Sequence, residues 1–145
     1  MEYFEELFRN GTLIISIFSC FIAQLIKIFT GEKFIDLKRI TTSGGMPSSH
    51  TSFVTSLSTV IGIIDGYYST NFAISVVFAL IVMYDATGVR RAVGKQAAIL
   101  NQMREQIQHG KIIKHEELKE LIGHTPFEVL GGAVLGILVA LIAMR

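Results

Sequence analysis

The sequence predicts an all-α fold: a multi-pass membrane helix bundle with about four transmembrane helices plus short cytoplasmic helices, in one domain over residues 1–145. Three observations carry that reading. Half of the residues are apolar and 17% are charged, where an average soluble domain is about a quarter charged. The apolar residues gather in the runs 13–29, 47–64, 72–84 and 127–144, and a helix of about 18 residues rises about 27 Å, close to the roughly 30 Å hydrocarbon core of a bilayer. The first and last runs have no continuous polar face to turn to water, which argues against a soluble amphipathic bundle.

The first run follows Glu2, Glu5 and Glu6, and Gln24 and Lys27 interrupt its later half. It therefore does not read as a cleaved signal peptide. Lys27 lies about a turn from the end of the run. A charge there either marks a functional site or reaches up to the interface, and both readings stay open. Cys20 lies inside the run and implies no disulfide framework.

The second run opens on GGMPSSHTS, residues 44–52. Pro47 is expected at the first helical position, where its missing N–H is not needed. The amides of Ser48, Ser49 and His50 would then point out of the helix start with the positive end of its dipole, which is an anion site of the phosphate type. His50 adds a group that exchanges a proton near neutral pH. Equally, Ser48 could simply cap the helix.

The third run reaches membrane length only if residues 69–70 and 85–86 join it. It ends in YDATGVRR, bringing Asp85, Arg90 and Arg91. Paired arginines after a span anchor topology, and two guanidiniums are also suited to gripping phosphate. Val93, Ala97, Leu100, Met103 and Ile107 then recur at helical spacing, so an amphipathic helix is expected, stopped by Gly110. A short helix over 116–122, closed by Gly123, follows.

The last run opens on GHTPFE. Thr125, Pro126 and Glu128 read as N-cap, N1 and N3 of a capping box. Capping does not explain His124, whose imidazole lies within reach of Glu128; a carboxylate there fixes its tautomer and raises its nucleophilicity. Gly132 and Gly136 form a G-x-x-x-G and, with Ser52, Ser56, Thr55 and Thr59, supply the small faces that let membrane helices approach closely.

Charge places these pieces. Lys33, Lys38 and Arg39 lie in 31–46; Arg90, Arg91, Lys95, Arg104, Lys111, Lys114 and Lys119 lie in 87–126; the link 65–71 has neither Lys nor Arg. The positive-inside rule puts both basic segments in the cytoplasm and gathers Lys27, His50, Arg90, Arg91, His124 and Glu128 on that face, in a cell-membrane protein. A net charge of +1 gives no nucleic-acid footprint. His109 and His115 read as surface residues. The carboxylates form no metal-ligand set, and no cofactor is called for.

GGMPSSHTS, YDATGVRRAVGKQA and LKELIGHTPFEVLGGAVLG together resemble the divergent branch of the type-2 phosphatidic acid phosphatase superfamily, often labelled acid phosphatase/vanadium-dependent haloperoxidase-related. The likeness runs from AQLIK in the first span to the last helix. It implies a metal-independent hydrolysis of a lipid-linked phosphomonoester or pyrophosphate through a phosphohistidine. His50 would then be the general acid, His124 the nucleophile and Glu128 its orienting carboxylate. Ser48 and the amide of Ser49 would hold phosphate oxygens, and Lys27, Arg90 and Arg91 would supply positive charge. The chain departs from the superfamily pattern in having Ser49 for Gly, Glu128 for Asp, and Glu117 and Leu118 for a Ser-Arg pair. It also lacks the Lys and Arg-Pro motif. The partners implied are a lipid-phosphate substrate and membrane lipids, with homo-oligomerisation left open. The rival readings are a non-catalytic membrane protein that keeps the anion site and, further off, a vanadate-dependent peroxidase.

Overall fold

The computed structural model describes residues 2–30, 45–107 and 123–145, and no strand occurs among them. The helices, in chain order, are α1 (Glu2–Arg9), α2 (Gly11–Phe29), α3 (Ser49–Asp65), α4 (Thr70–Thr87), α5 (Val89–Ile107) and α6 (Pro126–Ala143). The expected stop at Gly110 and the short helix over 116–122 lie outside the described residues, as do His109 and His115.

Three helical stretches are long and apolar enough to cross a membrane: Gly11–Phe29, the stretch that begins at Thr70, and Pro126–Ala143. The third run does gain its missing length from its ends. Ser69 caps α4 by accepting from the Phe72 amide at 3.1 Å, and the helix runs on through Asp85 and Ala86 to Thr87. Exposed Tyr67 and Tyr68 mark one end of the bundle, and exposed Phe29, Tyr84 and Phe127 the other. Along α4, the rise from residue 70, just past this tyrosine pair, to residue 84 is about 21 Å, which suits aromatic belts at the two faces of a bilayer.

α3 is the helix the others surround. It packs on α2, α4 and α6, and α6 also contacts α2. Its 17 residues are rich in hydroxyls, and these turn inward: Thr51, Ser52, Thr55, Ser56 and Ser58 are all buried. In a site without water a hydroxyl needs an internal partner, and among the described residues all of these but Ser56 have one. Thr55 and Ser58 donate to the carbonyls of Thr51 and Val54 at 2.8 and 3.0 Å. Ser52 and buried Ser19 of α2 lie oxygen to oxygen at 2.6 Å, and either hydroxyl also reaches the other residue's carbonyl. The bond is therefore an interhelical clasp, with α2 and α3 sharing the acceptors.

The G-x-x-x-G of α6 lies on the same axis. A Cβ on Gly132 would run into the Ser48 carbonyl, and one on Gly136 into the Ser52 carbonyl and the Thr55 hydroxyl. Backbone-to-backbone approach of this kind is what small residues in membrane helices permit, and here it fastens α6 to α3 within one chain.

One local expectation is corrected. Pro47 is not the first helical residue. Ser48 takes the N-cap and α3 begins at Ser49, because the Ser48 hydroxyl accepts from both the amide and the hydroxyl of Thr51, at 3.4 and 2.9 Å. The helix expected from the α5 stripe is present as Val89–Ile107; Val93, Leu100 and Met103 are exposed along it, and the buried positions are Gly94, Ala97 and Asn101. Small residues, not the large apolar ones, face inward, which leaves the apolar side of α5 to the exterior.

Substituting Gly136 by Ala should destabilise the protein by about 1–3 kcal/mol, the usual cost of overpacking. Gly11→Ala, where a Cβ meets nothing within 4 Å, should not. Thermal unfolding in detergent checks this pair, and equal stability of the two variants would contradict the packing role of Gly136.

Candidate functional site

The site forms where α2 ends and α3 and α6 begin. Thr30, just past α2, donates to the Met46 carbonyl at 2.6 Å, which pins the approach to α3 against the end of α2. The Ser48 amide donates to the Glu128 carbonyl at 2.9 Å, which joins the start of α3 to the first turn of α6. The His124 amide donates to the Ala86 carbonyl at 2.9 Å, which joins the entry of α6 to the end of α4. Gly123 makes that last junction possible. Its φ is +99°, and its α-carbon lies so close to the backbone of Arg90 and Arg91 that no Cβ fits.

His124 is buried, with its side chain 2% exposed, and its Nδ1 lies 3.3 Å from Glu128 Oε2. The same Oε2 accepts from the Thr125 amide at 2.8 Å, while the Glu128 amide reaches Thr125 Oγ1 at 3.4 Å. So Glu128 closes the capping box that the sequence predicts and holds His124 as well. A carboxylate at Nδ1 favours the proton there and leaves the Nε2 lone pair outward. His124 Nε2 is buried and has no hydrogen-bond partner among the described residues.

Lys27 is 1% exposed. It turns inward rather than up to the interface, and its Nζ lies 3.4 Å from Ser49 Oγ. Ser49 and His50 occupy the first turn of α3, where backbone N–H groups have no intrahelical acceptor. The Ser48 amide is committed to Glu128 and its hydroxyl to Thr51, so Ser48 serves as a buried cap. The anion-type donors at this helix start are therefore the Ser49 and His50 amides.

His50 is exposed at the helix start, within Coulombic reach of Arg90, Lys27 and Asp85. Arg90 donates its Nε to Asp85 Oδ2 at 2.6 Å. The carboxylate holds the guanidinium by Nε and so fixes where its NH₂ groups point. Arg91 is exposed, and its backbone packs against Gly123. The structure thus brings together Lys27, Ser49, His50, His124 and Glu128, sets Arg90 beside them, and leaves Arg91 outward. Two contributors escape sequence reasoning. Asp85 pairs with Arg90 across the break at Gly88, a spacing with no helical signature, and Gly123 reads there as an ordinary helix stop. Among the described residues no group of three His, Cys, Asp or Glu side chains is placed to hold a metal ion.

Fold and site together define an integral membrane helix bundle whose helix starts gather two histidines, a buried lysine and an arginine. The chain belongs to the Divergent PAP2 family, which it matches over residues 8–139, as its three motif blocks imply. It is 39% identical over 151 residues to the "Uncharacterized membrane protein YuiD" of Bacillus subtilis (strain 168), a likeness that covers 94% of this chain and 96% of that protein. No solved structure matches the chain.

Burial holds the His124 imidazole below its ordinary value of 6.5; Lys27 and His50 push the same way, and the Glu128 carboxylate opposes them. The folded protein thus binds this proton less well than the unfolded chain. Stability tied to His124 is complete above the unfolded value and falls as pH drops through about 6.5 toward the lower folded value. Wild type should lose more stability between pH 7.5 and pH 5 than His124→Asn. Thermal melts across that range check this, and an equal or steeper loss in the variant would contradict it.

Proposed function

We propose that the protein is a membrane phosphatase that cleaves a lipid-linked phosphomonoester or pyrophosphate by double displacement on His124. The observation that carries this reading is the arrangement of His124: Nδ1 on Glu128, and Nε2 buried, without a hydrogen-bond partner among the described residues and within reach of the charge of Lys27. The family, and the likeness to its superfamily's motifs, support it further.

In the first step Nε2 attacks phosphorus and the bond to the leaving oxygen breaks. The imidazole becomes a phosphorylated cation, and the Glu128 carboxylate at Nδ1 stabilises that charge. His50, protonated, gives its proton to the departing oxygen. In the second step His50, now neutral, takes a proton from water as the water oxygen attacks phosphorus; inorganic phosphate leaves and His124 returns to its neutral form. The equatorial oxygens carry negative charge throughout. The amides of Ser49 and His50, the Lys27 ammonium and the Arg90 NH₂ groups are the neutralising partners, as electrostatic catalysis of phosphoryl transfer requires. Arg91 and Ser48 act at one remove, through the Gly123 junction and the α3 cap. The site faces the cytoplasm in this reading, with α3 as a fourth span among the other helices.

His124→Ala should abolish turnover. His50→Ala should cost roughly 100- to 10,000-fold with an alcohol leaving group and much less with a nitrophenolate, which departs unprotonated. Phosphate release against both ester types measures this, and equal losses on both would reduce His50 to a positioning role. Activity should survive chelation by EDTA, and vanadate should inhibit it, because five-coordinate vanadium on a histidine resembles the transition state.

Orientation is tested separately. In a Cys20→Ala background, a cysteine at Asn71 should label from outside intact cells and cysteines at Lys38 or Lys111 should not. The inverse pattern would move the site to the other face.

A further inference from the structure

α3 is buried over most of its surface down to Gly62: Ser49, Thr51, Ser52, Val54, Thr55, Ser56, Ser58 and Val60 are buried, whereas His50 is exposed and Phe53, Leu57 and Ile61 are half-buried. Half-buried Thr59 lies off this set and lines the cleft that α4 shares with α6, and Ile63, Ile64 and Asp65 of the last turn are exposed. Steps of three and four place His50, Phe53, Leu57 and Ile61 on one helical face. That face lies in the sector between α2 and α4. α6 packs on both α2 and α4, but α2 and α4 make no comparable contact with each other. The two flanks of α4 agree. Phe72, Val76 and Leu80 line a cleft shared with α6, while Ile74 and Phe78, on the other flank, line a cavity of about 330 Å³ shared with Leu57 and Ile61. At the top, His50 lies within reach of charges from both sides of the gap, Lys27 at the end of α2, and Asp85 and Arg90 at the end of α4. At the bottom, Asp65 accepts from the Asn71 side chain at 2.8 Å, a polar floor between α3 and α4.

We propose that this lateral gap is the binding groove for one hydrocarbon chain of a lipid whose anionic phosphate lies at His50. The proposal rests on the phosphatase reading and adds where the chain of the substrate lies. The ligand chemistry follows from the two ends. Positive charge and helix-start amides at the head suit a phosphate. The apolar stripe below is about 17 Å long from residue 50 to 61, about the depth of one leaflet of a roughly 30 Å core. An apolar groove open to the bilayer along its side admits a chain without drawing the lipid out of the membrane. Water-soluble phosphate esters lack the part that the stripe would hold. They should therefore bind weakly at the same headgroup site.

The test uses the full-length protein and a single-chain alkyl phosphate with a photoreactive diazirine midway along its chain. After illumination the attachment sites are read by mass spectrometry, which needs no turnover. Label is expected on Phe53, Leu57, Ile74 and Phe78. Label confined to the α4–α6 cleft, or spread evenly over the lipid-facing surface, would overturn the proposal. Filling the groove with Leu57→Trp should weaken binding of the long-chain phosphate by roughly tenfold or more, as expected for displacing a few buried methylenes. It should leave a short-chain phosphate unaffected, and Leu80→Trp, in the other cleft, should change neither. Ile61→Phe gives the same reading if Leu57→Trp does not fold. Labelling of the stripe without hydrolysis of any ester would remove the phosphatase reading and leave the groove. Hydrolysis with label elsewhere would remove the groove and leave the phosphatase.

Discussion

The Glu128 carboxylate and carbonyl tie the site together. Oε2 takes the Thr125 amide and faces His124 Nδ1, while the main-chain carbonyl takes the Ser48 amide. One residue therefore caps α6, orients the buried histidine and sets the start of α3 at a fixed height beside it. The capping function and the orienting function use the same oxygen, so the cap fixes the position of the carboxylate that faces the imidazole. A carboxylate is suited to both tasks, since it accepts more than one bond and favours a helix N-terminus electrostatically.

That junction needs α3 and α6 to approach to backbone distance, and the small residues supply this. Gly132 meets the Ser48 carbonyl, one turn below the Glu128 contact, and Gly136 meets Ser52 and Thr55 below that. On the opposite side Ser19 and Ser52 hold α2 to α3, which brings Lys27 to Ser49 two turns up α2. The hydroxyl-rich middle of α3 thus has a positional effect at its end. The stacking of close contacts along the helix fixes the distances among groups that come from well-separated parts of the chain.

Much of this is legible in the sequence because it is local. The capping box at Thr125–Glu128 and the i,i+4 relation of His124 and Glu128 follow from helical spacing alone. So do the spans, which are runs of apolar residues. The extension of α4 past its apolar run is also readable, since Ser69 and Thr87 bound it with no breaker between. What escapes is set by competition or by tertiary approach. Pro47 and Ser48 both suit a helix start, and the hydroxyl wins because it satisfies Thr51. The large apolar residues of α5 share one helical face, yet the buried positions are Gly94, Ala97 and Asn101, because burial there is set by close tertiary approach rather than by period. Lys27 could have reached up or turned in, and only the position of Ser49 shows which. The Asp85–Arg90 pair spans a helix break, where periodicity carries no information.

The central claim is that phosphorus is transferred to His124 and then to water. The most direct measurement is the stereochemical course at phosphorus, using an ester of isotopically chiral phosphate and analysing the transferred group. Two successive in-line displacements, one onto Nε2 and one from it, predict net retention of configuration. Net inversion would mean a single direct attack by water, and would contradict a phosphohistidine at His124 whatever the effect of mutating it.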